Sequence, residues 1–258
     1  MRFQLNLQLD KNASGDILPI NYQYEQSAVI YKILSRAGGD FSEWLHDNGY
    51  GTETGRKFKL FTFSQLGVDS YRVLKQSGRL RIFSDVVRWQ ISFLPEISTR
   101  EFIKGIFANQ SFEIGDRYSS VRFLVRNITA MEPPVFTNEM TFRSLSPICI
   151  KYKPDTDTTV YLSPDDSRAC PAVISDLKRR YRSFYGKDID DESQCGFEVL
   201  DRPKSKLITI KAGTPMETRV RGYLCRFKIK APAELMKIAY DCGVGEQGSQ
   251  GFGCVEPV

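Results

Sequence analysis

Apolar and polar residues alternate over residues 2–9, placing Phe3, Leu5, Leu7 and Leu9 on one face, the period of a half-buried strand. Ile30, Ile33, Leu34 and Ala37 recur at i, i+3, i+4 and i+7, which predicts a helix over 23–37. Strand-like stretches follow at 57–64 and 79–84, then a helix from after Pro95 to about Phe107 and a strand near 118–126. Strand–helix–strand–strand–helix–strand is the order of the ferredoxin-like, split βαβ arrangement. After the Pro133-Pro134 punctuation the pattern recurs, with strands expected at 144–152, 196–202, 206–211 and 218–229. The last two are joined by a turn containing Gly213, and helices are expected at 164–184 and 232–241. Ser163-Pro164 and Pro232 supply helix-start signals, and Pro171 is compatible only with the first turn, so the first of these helices starts as late as that residue. The expected fold class is α+β: two tandem ferredoxin-like (RRM-like) domains, residues 1–127 and 128–258.

Composition narrows the setting. The chain's 258 residues suffice for two small cores, and 41 % hydrophobic with 12 % aromatic residues is a globular composition, not a disordered one. No apolar run approaches the ~20 residues of a membrane span, and the opening MRFQLNLQLD alternates like a strand, without the apolar core of a signal peptide. Six cysteines with no C-x-x-C pair read as reduced thiols, without a zinc site. A soluble, cytoplasmic protein without metal or cofactor is expected. The net charge is +5, yet residues 202–230 hold nine basic side chains against the single acid Glu217. Lys178-Arg179-Arg180 with Arg182 form a second cluster. Such stripes, interleaved with Tyr223 and Phe227, suit a polyanion; solvated strand and helix faces account for the same charges equally well.

His46 is the one histidine, which excludes two-histidine acid–base catalysis and His-rich metal sites. Phe41, Trp44 and Leu45 define the apolar face of a short helical segment, and His46 points away from it, toward solvent or a cleft. Gly49, Gly51 and Gly55 follow in a loop free to move. Tyr31 sits beside the apolar face of its helix, as a boundary residue of the core whose hydroxyl could reach a cleft. Lys57 and Lys59 are expected on one strand face with Phe61 and Phe63, which fit either a base-stacking surface or the core. The segment Gly243-Val-Gly-Glu-Gln-Gly-Ser-Gln-Gly-Phe-Gly253 puts five glycines (Gly243, Gly245, Gly248, Gly251, Gly253) in eleven residues directly after a helix. Without Cβ atoms, backbone N–H groups can approach a phosphate closely. It is neither a Walker A loop nor a Rossmann fingerprint, and a plain tight turn needs fewer glycines.

The Gly243–Gly253 segment resembles the glycine-rich signature of the CRISPR-associated precursor-crRNA endoribonucleases. Pro19–Tyr31 is similar to that family's first helix, Lys59–Ser64 to its following strand, and Ser144–Pro147 to the motif opening its second domain. The resemblance covers nearly the whole chain. It implies metal-free cleavage of repeat RNA, in which a ribose 2′-hydroxyl attacks the neighbouring phosphate and leaves 2′,3′-cyclic phosphate and 5′-hydroxyl ends. By the same resemblance His46 is the principal acid or base, Tyr31 its partner, and Lys59 the charge stabiliser, with Lys57 the alternative cation. Lys57, Arg219, Arg221 and the five glycines are the expected RNA contacts. The implied partner is CRISPR repeat RNA in a precursor transcript, with effector-complex subunits as further partners; no membrane is implied, and a monomer or a homodimer is compatible. The competing reading is a non-catalytic crRNA-binding subunit of an effector complex.

Overall fold

A computed structural model describes residues 1–37, 39–51, 55, 57–153, 159–189 and 195–258. In its first half, β1 (Arg2–Leu9) is followed by α1 (Gln23–Ala37), α2 (Gly39–Asp47), β2 (Phe61–Phe63), β3 (Val86–Phe93), α3 (Glu96–Ala108), β4 (Ser111–Gly115) and β5 (Ser120–Met131). The sheet order is β2-β3-β1-β5-β4, antiparallel throughout. Without the edge strand β4 this is the ferredoxin-like order, in which two split βαβ units interlock. Phe3, Leu5, Leu7 and Leu9 are all buried, in one core with Ile30, Ile33 and Leu34 of α1 and Phe102 and Ile106 of α3. Helices α1 and α3 touch backbone to backbone at Gly105, where a Cβ would stand 1.9 Å from the Ile33 carbonyl oxygen.

The second half repeats the plan with β6 (Glu139–Ser144), α4 (Ala169–Tyr185), β7 (Gly196–Val199), β8 (Lys204–Ile210), β9 (Thr218–Leu224), β10 (Arg226–Lys230), α5 (Ala233–Cys242) and β11 (Val255–Pro257). Its sheet runs β7-β10-β6-β11, again the ferredoxin-like order, and β8–β9 form a separate hairpin inserted between β7 and β10. The glycine-rich segment links α5 to β11.

Several expected elements move. The first-half strand expected at 79–84 is Arg79–Ile82 and belongs to a small outer sheet with Ile17–Pro19 and Tyr71–Leu74. The strand that takes its place in the main sheet, between β2 and β1, is β3, whose Val87, Trp89, Ile91 and Phe93 are fully buried. The stretch 57–64 breaks into Lys57–Phe58 and β2, because Leu60 takes a left-handed φ of 52°. The stretch 144–152 is no single strand: β6 ends at Ser144, and the Leu145 and Ser146 amides turn to the Cys254 carbonyl at 2.7 and 3.1 Å. Residues 218–229 divide at Cys225, where the buried positions slip phase from Val220 to Phe227 and Ile229. Helix α4 starts at Ala169, which puts Pro171 in its first turn, where its missing N–H costs no hydrogen bond. β5 runs past residue 127 to Met131, so the domain division at 127/128 falls inside a strand.

The halves are tied by polar contacts. Arg2 is 1 % exposed; it donates to the carbonyls of Val255, at 2.6 Å, and Tyr240, and lies 3.7 Å from the centre of the Tyr240 ring. The Thr62 hydroxyl donates to the Phe252 carbonyl at 3.1 Å, and the Gln65 amide to the Leu145 carbonyl at 3.0 Å. All six cysteines are free thiols.

Candidate active site

Helix α2 ends where Gly49 turns left-handed (φ 62°) and its amide and that of Asn48 both return to the Trp44 carbonyl, at 3.0 and 2.8 Å. That stop leaves the last carbonyls of α2 without helical partners. Two lysines from the next strand segment supply them: Lys59 Nζ donates to the Leu45 and His46 carbonyls, and Lys57 Nζ to the Asp47 carbonyl at 3.1 Å. Positive charge at a helix C-terminus also suits the helix dipole. The lysines therefore fasten the end of α2, and His46 with it, to the β2 edge of the first sheet.

His46 projects outward with 70 % of its side chain exposed, and its Nδ1 lies 2.8 Å from Asp47 Oδ1. Leu45 alone of the expected apolar face is fully buried; Trp44 is 39 % exposed and packs on the rings of Phe41 and Tyr50. On its other side His46 meets Tyr31, edge to face, with ring centres 5.4 Å apart. Tyr31 is packed in turn against Phe61, and its hydroxyl is hydrogen-bonded to the Ser249 side chain. Burial pushes the Tyr31 phenol up to about 12, against a smaller opposing pull from Ser249. Lys59 is pulled below the usual lysine range, chiefly by burial and then by the neighbouring Lys57 charge. Tyr31, His46 and Lys59 thus converge from three separate elements.

Beside them opens a cleft of about 220 Å³, walled by Lys57 and Lys59 on one side and by residues 246–250 of the glycine-rich segment on the other. Arg180 and Cys242 also line it; Tyr31 and His46 do not, but stand beside it in contact with the lining residues Phe61 and Lys59. Phe61 and Phe63 are 1 % and 0 % exposed; they are core residues, which removes the base-stacking alternative. Residues 52–54 and 56 of the loop expected to move lie outside the described residues.

The glycines divide by role. Gly243, Gly245, Gly251 and Gly253 are buried, so they do not offer their N–H groups to a phosphate as expected. Their missing side chains let the chain pack on itself: a Cβ on Gly253 would sit 2.1 Å from the Val244 carbonyl, and one on Gly245 2.4 Å from the Cys149 carbonyl. Gly251 would strike the Phe63 ring at 2.8 Å and Gly243 the Gly253 carbonyl at 2.7 Å. Gly248 alone lines the cleft, where it opens the turn Gly248–Gln250. The Ser249 carbonyl accepts from the Ser27 hydroxyl of α1 at 2.7 Å, which anchors that turn to the helix bearing Tyr31.

The sequence pattern put Arg180 in a basic cluster suited either to a polyanion or to a solvated face, but it is 4 % exposed. Its guanidinium donates to the carbonyls of Cys242 and Gly243, both at 2.8 Å, and of Gly245, and it pairs with buried Asp176 at 2.8 Å. It is the internal brace of the glycine-rich segment. Asp176 four residues earlier, an i,i+4 acid–base pair on an otherwise apolar face, was the signal for it. Ser249 was also missed; only its place between glycines marked it. Arg219 and Arg221 lie on the outer face of the β8–β9 hairpin, opposite Thr209 and Leu207. Both are exposed, and Arg221 donates to the Ser205 hydroxyl at 2.7 Å. The hairpin's inner face, Ile208, Ile210 and Val220, is buried with Phe252 of the glycine-rich segment and Tyr24 of α1 against it.

Among the described residues, no three His, Cys, Asp or Glu side chains cluster as metal ligands, and no helix is long and apolar enough to cross a membrane.

Comparison with known proteins agrees with this layout. Residues 17–129 match the family "CRISPR-associated protein Cas6, N-terminal" and residues 131–257 match "CRISPR associated protein Cas6, C-terminal". The CRISPR-associated endoribonuclease Cas6 1 of Methanocaldococcus jannaschii is 29 % identical over 264 residues, covering 99 % of this chain and 92 % of the relative. The CRISPR-associated endoribonuclease Cas6 of Pyrococcus furiosus is 24 % identical, covering 99 % and 89 %. Among solved structures, a RAMP protein binding different RNA substrates superposes with a TM-score of 0.81 at 25 % identity, covering 100 % of this chain and 99 % of that one. A CRISPR-associated protein Cas6 superposes with a TM-score of 0.75 at 27 % identity, with the same coverage. With both family halves matched in order on two tandem ferredoxin-like domains, the chain belongs to the Cas6 family of CRISPR-associated proteins.

Proposed function

We propose that this chain is an endoribonuclease that cuts CRISPR repeat RNA in precursor transcripts, with the reacting phosphate held at the rim where Tyr31, His46 and Lys59 meet. The observation that carries the reading is their convergence from α1, α2 and the link between Lys57–Phe58 and β2, beside a cleft closed by the glycine turn. Non-catalytic RNA holding would need neither an exposed imidazole nor a lysine beside it.

The reaction forms a bond from the 2′-oxygen to phosphorus and breaks the bond to the 5′-oxygen. One proton must leave the nucleophile and another must reach the leaving group. A phenol held near 12 stays protonated at neutral pH, so Tyr31 serves as the donor and not as the base. The imidazole then takes the 2′-hydroxyl proton at Nε2, while Nδ1–H donates to Asp47 and fixes that tautomer. Lys59 spends two of its three protons on the Leu45 and His46 carbonyls, leaving one for a non-bridging phosphate oxygen. Partial burial strips water from this ammonium and strengthens its pull on the charge that grows at phosphorus. The proton on imidazolium returns the phenolate to phenol, and the products are a 2′,3′-cyclic phosphate and a 5′-hydroxyl. Metal takes no part in this scheme. Arg219 and Arg221 on the outer hairpin face, with Lys57, supply the backbone contacts that hold the RNA.

The test is incubation with end-labelled repeat RNA in EDTA, beside His46→Ala. A single cut ending in a cyclic phosphate, reduced about 10²–10⁴-fold in the variant while RNA still binds, is the expected result. Binding without cutting by both proteins favours the RNA-holding subunit, and cutting that EDTA abolishes and magnesium restores overturns the metal-free route.

A further inference from the structure

Two turns, one from each half, meet far from the cleft. The Asp116–Ser119 turn joins β4 to β5 at the sheet edge opposite β2. Four inter-strand spacings separate those edges, about 19 Å at the usual strand separation. The second turn is the tip of the β8–β9 hairpin: the Arg117 guanidinium lies 3.9 Å from where a Cβ on Gly213 would be.

Both turns are held rigidly. The Asp116 carboxylate accepts from the Tyr118 amide at 2.9 Å, the Ser119 amide at 3.0 Å and Arg79 at 2.8 Å, and Arg79 also donates to the Ser119 hydroxyl at 2.9 Å. At the hairpin tip the Gly213 amide donates to Glu217 at 2.9 Å, and the Thr214 hydroxyl to the Lys211 carbonyl at 2.8 Å. The product of this bonding is a fixed aromatic ring in solvent. Tyr118 is 70 % exposed, its hydroxyl accepts from Arg117 at 2.5 Å, and the Arg117 guanidinium lies 4.6 Å from the ring centre. The nearby acids Asp116 and Glu217 are committed to the turns and to Arg79 and Arg219, 2.8 and 3.7 Å away, whereas Arg117 and Arg79, the latter 5.6 Å from the ring centre, put positive charge beside the ring. Arg219 and Arg221 continue that charge along the outer face of the hairpin.

From this juxtaposition we propose that Tyr118 is a stacking platform for one unpaired base of the bound RNA, with Arg117 and Lys211 taking the flanking phosphates. A pre-ordered aromatic ring beside cations is what single-stranded nucleic acid stacks on, with little regard to base identity. A site built by both halves also measures the RNA, since it accepts only a strand that reaches from the cleft rim to the hairpin tip. The proposal rests on the RNA-binding part of the reading above and not on its chemistry.

The experiment uses the full chain carrying His46→Ala, so that RNA is not cut, and fluorescently labelled repeat RNA with its single-stranded flanks. Tyr118→Ala is expected to raise the Kd about tenfold, in the range found on removing one aromatic platform. Tyr118→Phe, which keeps the ring, is expected to bind nearly as the unsubstituted chain does. With 4-thiouridine in the RNA, irradiation should give an adduct on the peptide containing Tyr118. An unchanged Kd in Tyr118→Ala overturns the proposal, as does equal weakening by the alanine and phenylalanine variants. If the chain with His46 intact binds but fails to cut, the nuclease reading falls while this binding comparison still decides the stacking site.

Discussion

Tyr31 owes its chemistry to burial, and the same burial has a consequence for stability. Its phenol and that of fully buried Tyr22, whose hydroxyl accepts from the Leu66 amide at 3.1 Å, are both pushed to about 12, chiefly by desolvation. In the unfolded chain a tyrosine ionises near pH 10. Above that pH the unfolded state has lost protons that the folded state keeps, so stability must fall between pH 10 and about 12. Below pH 10 neither phenol contributes any slope. Urea midpoints measured across this range should fall steeply, and less steeply in Tyr31→Phe. At the same scale, Lys59→Ala deprives the Leu45 and His46 carbonyls of their donor and the phosphate of its cation. Single-turnover cleavage should therefore drop far more than RNA affinity, and Lys57→Ala should reverse that order. Of these residues the outward direction of His46 and the boundary position of Tyr31 were readable from helical spacing. The roles of Tyr31 and Lys59 came from resemblance, because Leu60 breaks the strand register that spacing assumes.

The glycine-rich segment shows what an element can demand of its sequence. Gly253 combines a left-handed φ of 71° with a Cβ position 2.1 Å from the Val244 carbonyl. Gly78 is also left-handed (φ 61°) but has open space around it. Gly78→Ala should cost about 1 kcal/mol, the backbone penalty alone. Gly253→Ala adds displacement of the Val244 backbone, and a loss of at least about 3 kcal/mol is expected in chemical denaturation. Arg180→Ala should be comparably damaging, about 3–5 kcal/mol, since it removes the 2.8 Å partner of buried Asp176, leaving Arg179 at 3.6 Å, and takes its guanidinium donor from three carbonyls. The sequence announced this segment by composition, yet what the glycines serve was not legible. Phosphate approach and self-packing both require a missing Cβ, and only the neighbours Val244, Cys149 and Phe63 tell them apart.

For the molecule as a whole, the basic residues gain meaning from where the hairpin carries them. Arg219→Ala with Arg221→Ala should lower the slope of log affinity against log salt by about 1.4–1.8, two phosphate contacts' worth. A binding series from low to moderate salt checks this, and equal slopes would show that this face does not meet RNA. The tie from Arg2 to Val255 and Tyr240 fixes the two halves in one orientation, which lets a turn of the first and a hairpin of the second act on one strand.

Local pattern was enough for the fold class, two tandem ferredoxin-like domains, though not for every strand of their sheets. Alternation in β1 and helical spacing in α1 and α3 are imposed by one buried face each, and a buried face writes its period into the chain. β6 escaped notice because only Met140 and Phe142 mark its inner side, and β3 because the neighbouring Arg79–Ile82 stretch shows the same alternation. The site was beyond local pattern for a different reason. Tyr31, His46, Lys59 and Ser249 have no fixed spacing along the chain; they share a place only because α2 is capped by two lysines and the glycine turn is pinned to α1. Periodicity records which face of an element is dry. Which elements are neighbours is decided by long-range packing of the two halves, and the chemistry resides in those neighbours.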